Sequence, residues 1–217
     1  MQSARPKKLI GVLGTHTEVG KTWVTTRLLA LLRARGLRVA ARKPVQSFDS
    51  NDQATDAFQL ATATDEDADK VCPPHRHYPL ALAPPMAADL LHRPRIALAE
   101  LTTEIVWPVN VDVGVVETVG GPRSPLAHDG DSIDLLLQLR PDAVLLVADA
   151  GLGALNAVRL SLTCVGSTVG SIRTLVVLNR YDSANELHRM NRDWLQERYG
   201  VAATTDIEAL TALIQRL

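Results

Sequence analysis

Within the first 36 residues the hydrophobic pattern changes period once, and the change is bracketed by glycines. "KLIGVLG" at 8–14 is a short, nearly continuous apolar run ending in glycine, the pattern of a buried strand. From Lys21 onward Val24, Leu28, Leu31 and Leu32 recur at helical spacing, and Arg33, Arg35 and Gly36 supply a helix C-terminus. The joining stretch, "GVLGTHTEVGKTWV" at 11–24, ends in Gly20-Lys21-Thr22 as a phosphate-binding loop does. The strict pattern G-x-x-x-x-G-K-[ST] would put its first glycine at position 15. Here that residue is Thr15, and the glycine is Gly14.

The rest of the chain continues the alternation. "LRVAARKP" at 37–44 reads as a second strand closed by Pro44, and "VDVGVVE", "DAVLLVAD" and "IRTLVVLN" are apolar runs of the kind found in parallel strands covered on both faces. Between and after them lie the helical patterns "IDLLLQL", "LNAVRLSLTCV" and "NELHRMNRDWLQERY", the last with Leu187, Met190, Trp194 and Leu195 on one face. A final helix is predicted from a capping box, Thr205 to Glu208, followed by Ile207, Leu210, Ile214 and Leu217. This order predicts an α/β architecture: a three-layer P-loop NTPase-like fold with a mainly parallel sheet flanked by helices, as a single domain over 1–217. Seven of the 12 prolines fall between Pro73 and Pro108, and an excursion of that kind from strand ends is expected to build the ligand side.

Composition narrows the partners. The formal net charge is −1 and Lys and Arg are scattered, so no nucleic-acid or membrane partner is expected. The apolar run after the N-terminal basic residues is too short for a signal peptide or a membrane span. Cys72 and Cys164 lie far apart, which suits a reducing compartment, and a cytoplasmic location is expected.

A glycine-bearing turn between strand and helix aims successive backbone N–H groups at phosphates, and the helix N-terminus adds partial positive charge. Thr17, Glu18, Val19, Gly20, Lys21 and Thr22 are therefore candidate nucleotide-binding residues. Lys21 would reach the β- and γ-phosphates and Thr22 would ligate Mg²⁺. The competing reading is a chance Gly-Lys-Thr at a helix start. Lys43, just before the proline that ends a strand, would point toward the phosphates, or else be a solvated surface lysine. The partitioning ATPases carry a signature lysine five residues before the loop lysine. Here that place is His16, so a nucleotide-switched regulatory ATPase is the weaker alternative.

The loop G-T-x-T-E-V-G-K-T closely resembles that of the dethiobiotin synthetase family, in which the displaced glycine is the usual form. "RKPVQS" at 42–47 is similar to that family's K-P-V-x-[ST]-G block, "TDAFQLA" at 55–61 to its S-D-A-x-x-L segment, "VVETVGG" at 115–121 to V-E-G-A-G-G, and "DAGLGALNAV" to L-G-x-x-N-H. "YPLALAPPMAA" at 78–88 resembles the stretch that lines the substrate site. The resemblance implies an ATP-dependent ligase that closes the ureido ring of dethiobiotin from 7,8-diaminopelargonic acid and CO₂, working as a homodimer. Lys21, Lys43, Thr17 and Ser47 would be catalytic. Thr22, Asp56 and Glu117, three hard oxygen ligands, would hold Mg²⁺. Lys43, Ser47 and Asn156 would bind substrate, and Asn179 would lie at the nucleotide. From the residues alone, Asp56 reads equally as a helix cap and Asn156 as an N-cap.

The chain departs from the family pattern at His16, at Phe48 in place of a glycine, and at Thr118-Val119 in place of Gly-Ala. The last two raise a diverged paralogue acting on another amine as an alternative. Arg180 follows Asn179, no G-x-I-P block is found, and "NRYD" at 179–182 distantly resembles the guanine-reading N-K-x-D. Cys72, His75 and His77 read as polar loop residues in preference to a zinc site, for want of a fourth ligand.

Overall fold

The computed structural model describes residues 5–52, 54–170 and 172–217; the first four residues of the N-terminal segment considered above lie outside them. The chain opens with β1 (Lys8–Gly14) and α1 (Lys21–Ala34), followed by β2 (Val39–Arg42), β3 (Gln46–Ser47), α2 (Asp56–Thr64) and α3 (Ala68–Val71). A 3₁₀ turn (Pro74–Arg76) leads into β4 (His77–Tyr78), α4 (Pro84–Leu90), α5 (Leu98–Glu104) and β5 (Val113–Glu117). The short β6 (Pro125–Ala127) and β7 (Gly130–Asp131) precede α6 (Ser132–Leu139), β8 (Ala143–Asp149) and α7 (Ala154–Val169). Last come β9 (Arg173–Asn179), α8 (Glu186–Tyr199), β10 (Ala203–Thr204) and α9 (Ile207–Gln215).

Six of these strands form one sheet in the order β10-β9-β8-β1-β5-β2, and every pairing in it is parallel. Alternate side chains on each strand leave opposite faces. Ile10 and Val12 enter the core shared with α1, α2 and α9, whereas Leu9 and Leu13 enter cores on the other face with α5, α6 and α7. The neighbouring β8 alternates in the same way: Leu145 and Val147 face the first core, and Val144 and Leu146 the opposite side. The predicted three layers are thus present. Parallel register brings Gly14, Glu117, Asp149 and Asn179, each the last residue of its strand, to one edge of the sheet. That carboxyl edge is where open α/β sheets hold ligands.

Three local expectations are corrected. The second strand is shorter than 37–44, because the chain breaks after Arg42 and resumes as β3, which pairs with β4 of the proline-rich excursion. The final helix is capped by Asp206 and not Thr205: the Asp206 carboxylate accepts from the N–H groups of Glu208 and Ala209. Leu187, Met190 and Trp194 of α8 are exposed. That helix docks through Leu195 and through Asn191, whose buried amide donates to the carbonyls of Ala150 (3.0 Å) and Gly151 (2.8 Å). Asn191 lies one turn from both Leu187 and Leu195 on the same side of the helix, and its hydrogen bonds to the turn before α7 seat that side while Leu187, Met190 and Trp194 stay exposed.

The displaced glycine has a packing cause. A Cβ on Gly14 would meet the His16 carbonyl oxygen at 2.7 Å, that of Gly120 at 2.9 Å and Val19 Cγ2 at 2.9 Å. The Gly14 N–H donates to the Gly120 carbonyl across the gap between the ends of β1 and β5 (3.1 Å). Gly14→Ala is expected to cost about 1–3 kcal/mol through overpacking, read as a lower urea midpoint. An unchanged midpoint would show that this approach is not tight.

Candidate active site

The loop between β1 and α1 turns on two left-handed residues, Glu18 (φ 61°) and Gly20 (φ 84°). Gly20 is the N-cap of α1 and brings no side-chain cap, and the first turn holds no acidic residue, so the helix N-terminus is open to an anion. Val19 between them is fully buried and pins the loop to the core. Its carbonyl accepts from the Asn179 amide at the end of β9 (2.8 Å). A Cβ on Gly20 would meet that amide nitrogen at 2.2 Å, so Gly20 serves both the conformation and the brace.

Directly behind the loop, four predicted residues converge. The Lys43 ammonium is 2% exposed and donates to Glu117 Oε1 (2.9 Å), to Asp56 Oδ2 (2.7 Å) and to the Thr118 carbonyl (3.2 Å). Thr22 Oγ1 lies 2.7 Å from Asp56 Oδ1 and 2.8 Å from Glu117 Oε1. A hydroxyl has one proton to share between these two acceptors. Glu117 is fully buried, and its second oxygen has no partner among the described residues. The cluster therefore has more acceptor capacity than donors, all of it hard oxygen, and this donor set fits a small divalent cation such as Mg²⁺. Asp56 is the first residue of α2, whose cap is Thr55, so the helix-cap reading of Asp56 is corrected.

Charge in this cluster is set by burial and close neighbours. Burial opposes the Lys43 charge, but the carboxylates of Asp56 and then Glu117 outweigh it and hold the ammonium's pKa above its ordinary value. Burial likewise works against ionised Asp56, and Lys43 more than offsets it, keeping the carboxyl below its usual range. Lys21, also buried, is compensated less well. Desolvation first, and then the Lys43 charge, lower its pKa to about 8 against the opposing pull of Glu117 and Asp56.

The other predicted residues are distributed as follows. Thr17 is exposed at the loop apex beside His16, whose Nδ1 donates to the Thr17 carbonyl. Ser47 sits on β3 with its hydroxyl buried and unpartnered among the described residues. Asn156 is exposed in the first turn of α7, where Gly153 is the N-cap, so the cap reading of Asn156 is corrected too. Thr118 turns inward: its hydroxyl donates to the Val12 carbonyl (2.8 Å), and its bulk is absorbed under the sheet edge. Phe48 packs edge-on to His77. His77 faces the Cys72 carbonyl, and His75 faces Glu104. In "NRYD", Asp182 accepts from the Ala184 N–H (2.8 Å).

Sequence reasoning missed Gln46 and Thr15. Gln46 is buried, its carbonyl oxygen accepts from the Ala57 N–H at the start of α2 (3.0 Å), and its amide nitrogen has no partner among the described residues. The Thr15 hydroxyl is equally unpartnered. Their adjacency to Ser47 and Gly14 was the available signal.

Lys43→Met would leave the carboxylates of Asp56 and Glu117 without their cation, at a cost of about 3–5 kcal/mol near pH 7. The Asp56 contribution to wild-type stability is present above its ordinary pKa of 3.8 and is lost as pH falls through its lower folded value. In the variant, ionised Asp56 loses the Lys43 charge that offsets its burial, and its protonation relieves the penalty. The stability gap should therefore narrow from pH 7 toward pH 4 in urea titrations; a gap independent of pH would place the effect elsewhere.

A family model described as an AAA domain matches residues 8–216. The ATP-dependent dethiobiotin synthetase of Haloferax mediterranei is 36% identical over 89% of this chain and 81% of its own length. That of Phenylobacterium zucineum is 35% identical over 79% and 76%, and that of an Anaeromyxobacter species 34% over 78% and 75%. Among solved structures, a plasmid partition protein of Borrelia burgdorferi is similar at TM-score 0.59 over 98% of this chain and 97% of that one. A putative plasmid partition protein of the same organism, bound to AMPPNP, gives 0.56 over 97% and 89%. At 14% and 15% identity these two share the fold alone. By sequence, over most of its length, the chain belongs to the ATP-dependent dethiobiotin synthetase family.

Proposed function

We propose that this chain is an ATP-dependent dethiobiotin synthetase, a carbon–nitrogen ligase of biotin biosynthesis, acting as one domain and pairing as a homodimer. The observation that carries the reading is the buried cluster of Thr22, Lys43, Asp56 and Glu117 set directly behind a phosphate loop of that family's form.

In the reaction, one amine of 7,8-diaminopelargonic acid takes up CO₂ as a carbamate. A carbamate oxygen attacks the γ-phosphorus of ATP and ADP leaves; the second amine then attacks the activated carbonyl carbon, the ring closes and phosphate leaves. No enzyme nucleophile is required, and the chain's task is positioning and charge stabilisation. Lys21 and the N–H groups from Thr17 to Lys21 would hold phosphate oxygens. Lys43 would turn from the carboxylates toward the transferred group, with the hydroxyls of Ser47 and Thr17 nearby. Thr22, Asp56 and Glu117 would hold Mg²⁺, which when bound neutralises polyphosphate charge. Asn156 at the start of α7 would meet the substrate carboxylate, and Asn179 would border the nucleotide. Since the Thr118 hydroxyl faces inward and Val119 packs against the core, neither supports a changed substrate, and Phe48 is the departure that remains. No helix of the described residues is long and apolar enough to cross a membrane. The unpaired thiols of Cys72 and Cys164 suit the cytoplasm.

The test is phosphate release from Mg²⁺-ATP and bicarbonate, with and without 7,8-diaminopelargonic acid, following dethiobiotin by mass. Amine-dependent release with product is expected; hydrolysis indifferent to the amine would overturn the substrate. Glu117→Gln should raise the Mg²⁺ concentration for half-maximal rate about tenfold or more, and an unshifted Mg²⁺ titration would remove Glu117 from the metal site.

Lys21 gives a pH signature. Its pKa of about 8 in the free chain, against 10.5 ordinarily, leaves it largely neutral between those values, and phosphate contact would recharge it. ATP binding in that window should take up a proton and weaken as pH rises, seen as binding heats that depend on buffer ionisation. Lys21→Met should abolish the uptake. Buffer-independent heats for the wild type would detach Lys21 from the phosphates.

A further inference from the structure

A loop that points successive N–H groups inward must point carbonyls outward, and those carbonyls need donors of their own. Here two consecutive carbonyls, Glu18 and Val19, are caught by two consecutive residues at the end of β9. Asn179 serves Val19. Arg180 serves Glu18, through Nη2 at 2.8 Å. The other arm of the same guanidinium, Nη1, donates to Asp149 Oδ2 at the end of β8 (3.0 Å). Asp149 in turn accepts through Oδ1 from the Gly151 N–H (2.8 Å), in the turn that leads to α7.

From this geometry we infer that Arg180 is a positioning residue for the phosphate loop, anchored by Asp149 and acting on nucleotide affinity through the Glu18 carbonyl. The inference rests on the nucleotide-binding reading above. Two features support it. Glu18 (φ 61°) and Arg180 (φ 57°) both hold left-handed conformations that non-glycine residues keep only where their surroundings impose them. The planar fork of arginine, moreover, can serve a carbonyl and a carboxylate at once in fixed geometry, which a lysine ammonium does less well. Burial opposes ionised Asp149, but the Gly151 N–H and Arg180 outweigh it and keep its pKa low, so the anchor stays charged. The Arg180 and Asp149 side chains are 59% and 36% exposed. An exposed pair of this kind adds little to global stability. Its effect should therefore appear in loop geometry and ligand affinity, with melting nearly unchanged.

The full chain is titrated with Mg²⁺-ATP by calorimetry, alongside steady-state kinetics and melting of the free protein. Arg180→Met is expected to raise the ATP Kd and KM about five- to tenfold, with kcat and the amine KM within about twofold of wild type. Arg180→Lys should recover part of the loss. Asp149→Asn, which keeps an acceptor for Gly151, should give a smaller rise. Arg180→Gly, suited to the left-handed backbone, should reproduce the affinity loss without a lower melting temperature. Wild-type affinity in Arg180→Met, or a loss that tracks melting temperature and is not eased by lysine, overturns the latch. Wild-type protein that binds no ATP overturns the nucleotide reading itself, which separates the two failures.

Discussion

The ion pair between Lys43 and Glu117 is the constraint around which the carboxyl edge of the sheet is organised. Both side chains are removed from water, at 2% and 0% exposed, and neither charge is tolerable there alone. Lys43 reaches Glu117 only because β2 and β5 are neighbours in parallel register, Arg42 opposite Val116, so that both strands end at the same level. The ammonium then directs its remaining protons to Asp56 and to the Thr118 carbonyl. This ties the start of α2 and the turn after β5 to the same point. Thr22 joins from the first turn of α1. A single buried charge thereby fixes the relative positions of four separate segments.

Close backbone approach is the second constraint, and it explains the glycines at positions 14, 120 and 121. The end of β1 and the turn after β5 come together at Gly14 and Gly120 through a hydrogen bond, and a Cβ on Gly121 would meet the Thr15 carbonyl at 2.8 Å. A loop drawn this close to its neighbouring turn has no room for a side chain at Gly14. Thr15, one residue on, keeps only its carbonyl side against Gly121 and can carry a side chain. The shift of glycine from position 15 to 14 moves the tight point from the loop to the strand end.

Much of this was legible in sequence because it depends on local pattern. Nearly continuous runs such as "DAVLLVAD" announce strands covered on both faces, and Glu117 and Lys43 stand out as charges at the ends of such runs. What sequence hid was pairing at long range. Nothing in "NRYD" says that Arg180 bonds the Glu18 carbonyl, 162 positions away. The helical periodicity of Leu187, Met190 and Trp194 proposed a buried face, yet only Leu195 of that pattern is buried, and the asparagine one turn before it decides how α8 sits. Substituted bulk was misleading at Thr118, since residue type gives size while only the strand's end geometry gives direction. Asp206 displaced Thr205 as a cap because both are good caps and the choice depends on where the chain leaves β10.

The charges of the site also explain how it can be stable without its ligands and still favour them. Lys21 and Lys43 balance Asp56 and Glu117, so the four formal charges sum to zero and the cluster offers a polyanion no net attraction. What it offers is a set of donors already desolvated: loop N–H groups at an open helix N-terminus, and a Lys21 ammonium whose charge is penalised by burial and by Lys43. A phosphate oxygen relieves that penalty directly, so the desolvation that weakens Lys21 in the free chain becomes differential affinity for the bound anion. A rigid loop is the condition for this exchange. If the loop could relax, Lys21 would find water instead of waiting for phosphate. The outward carbonyls of Glu18 and Val19, held from the end of β9, keep the loop from relaxing.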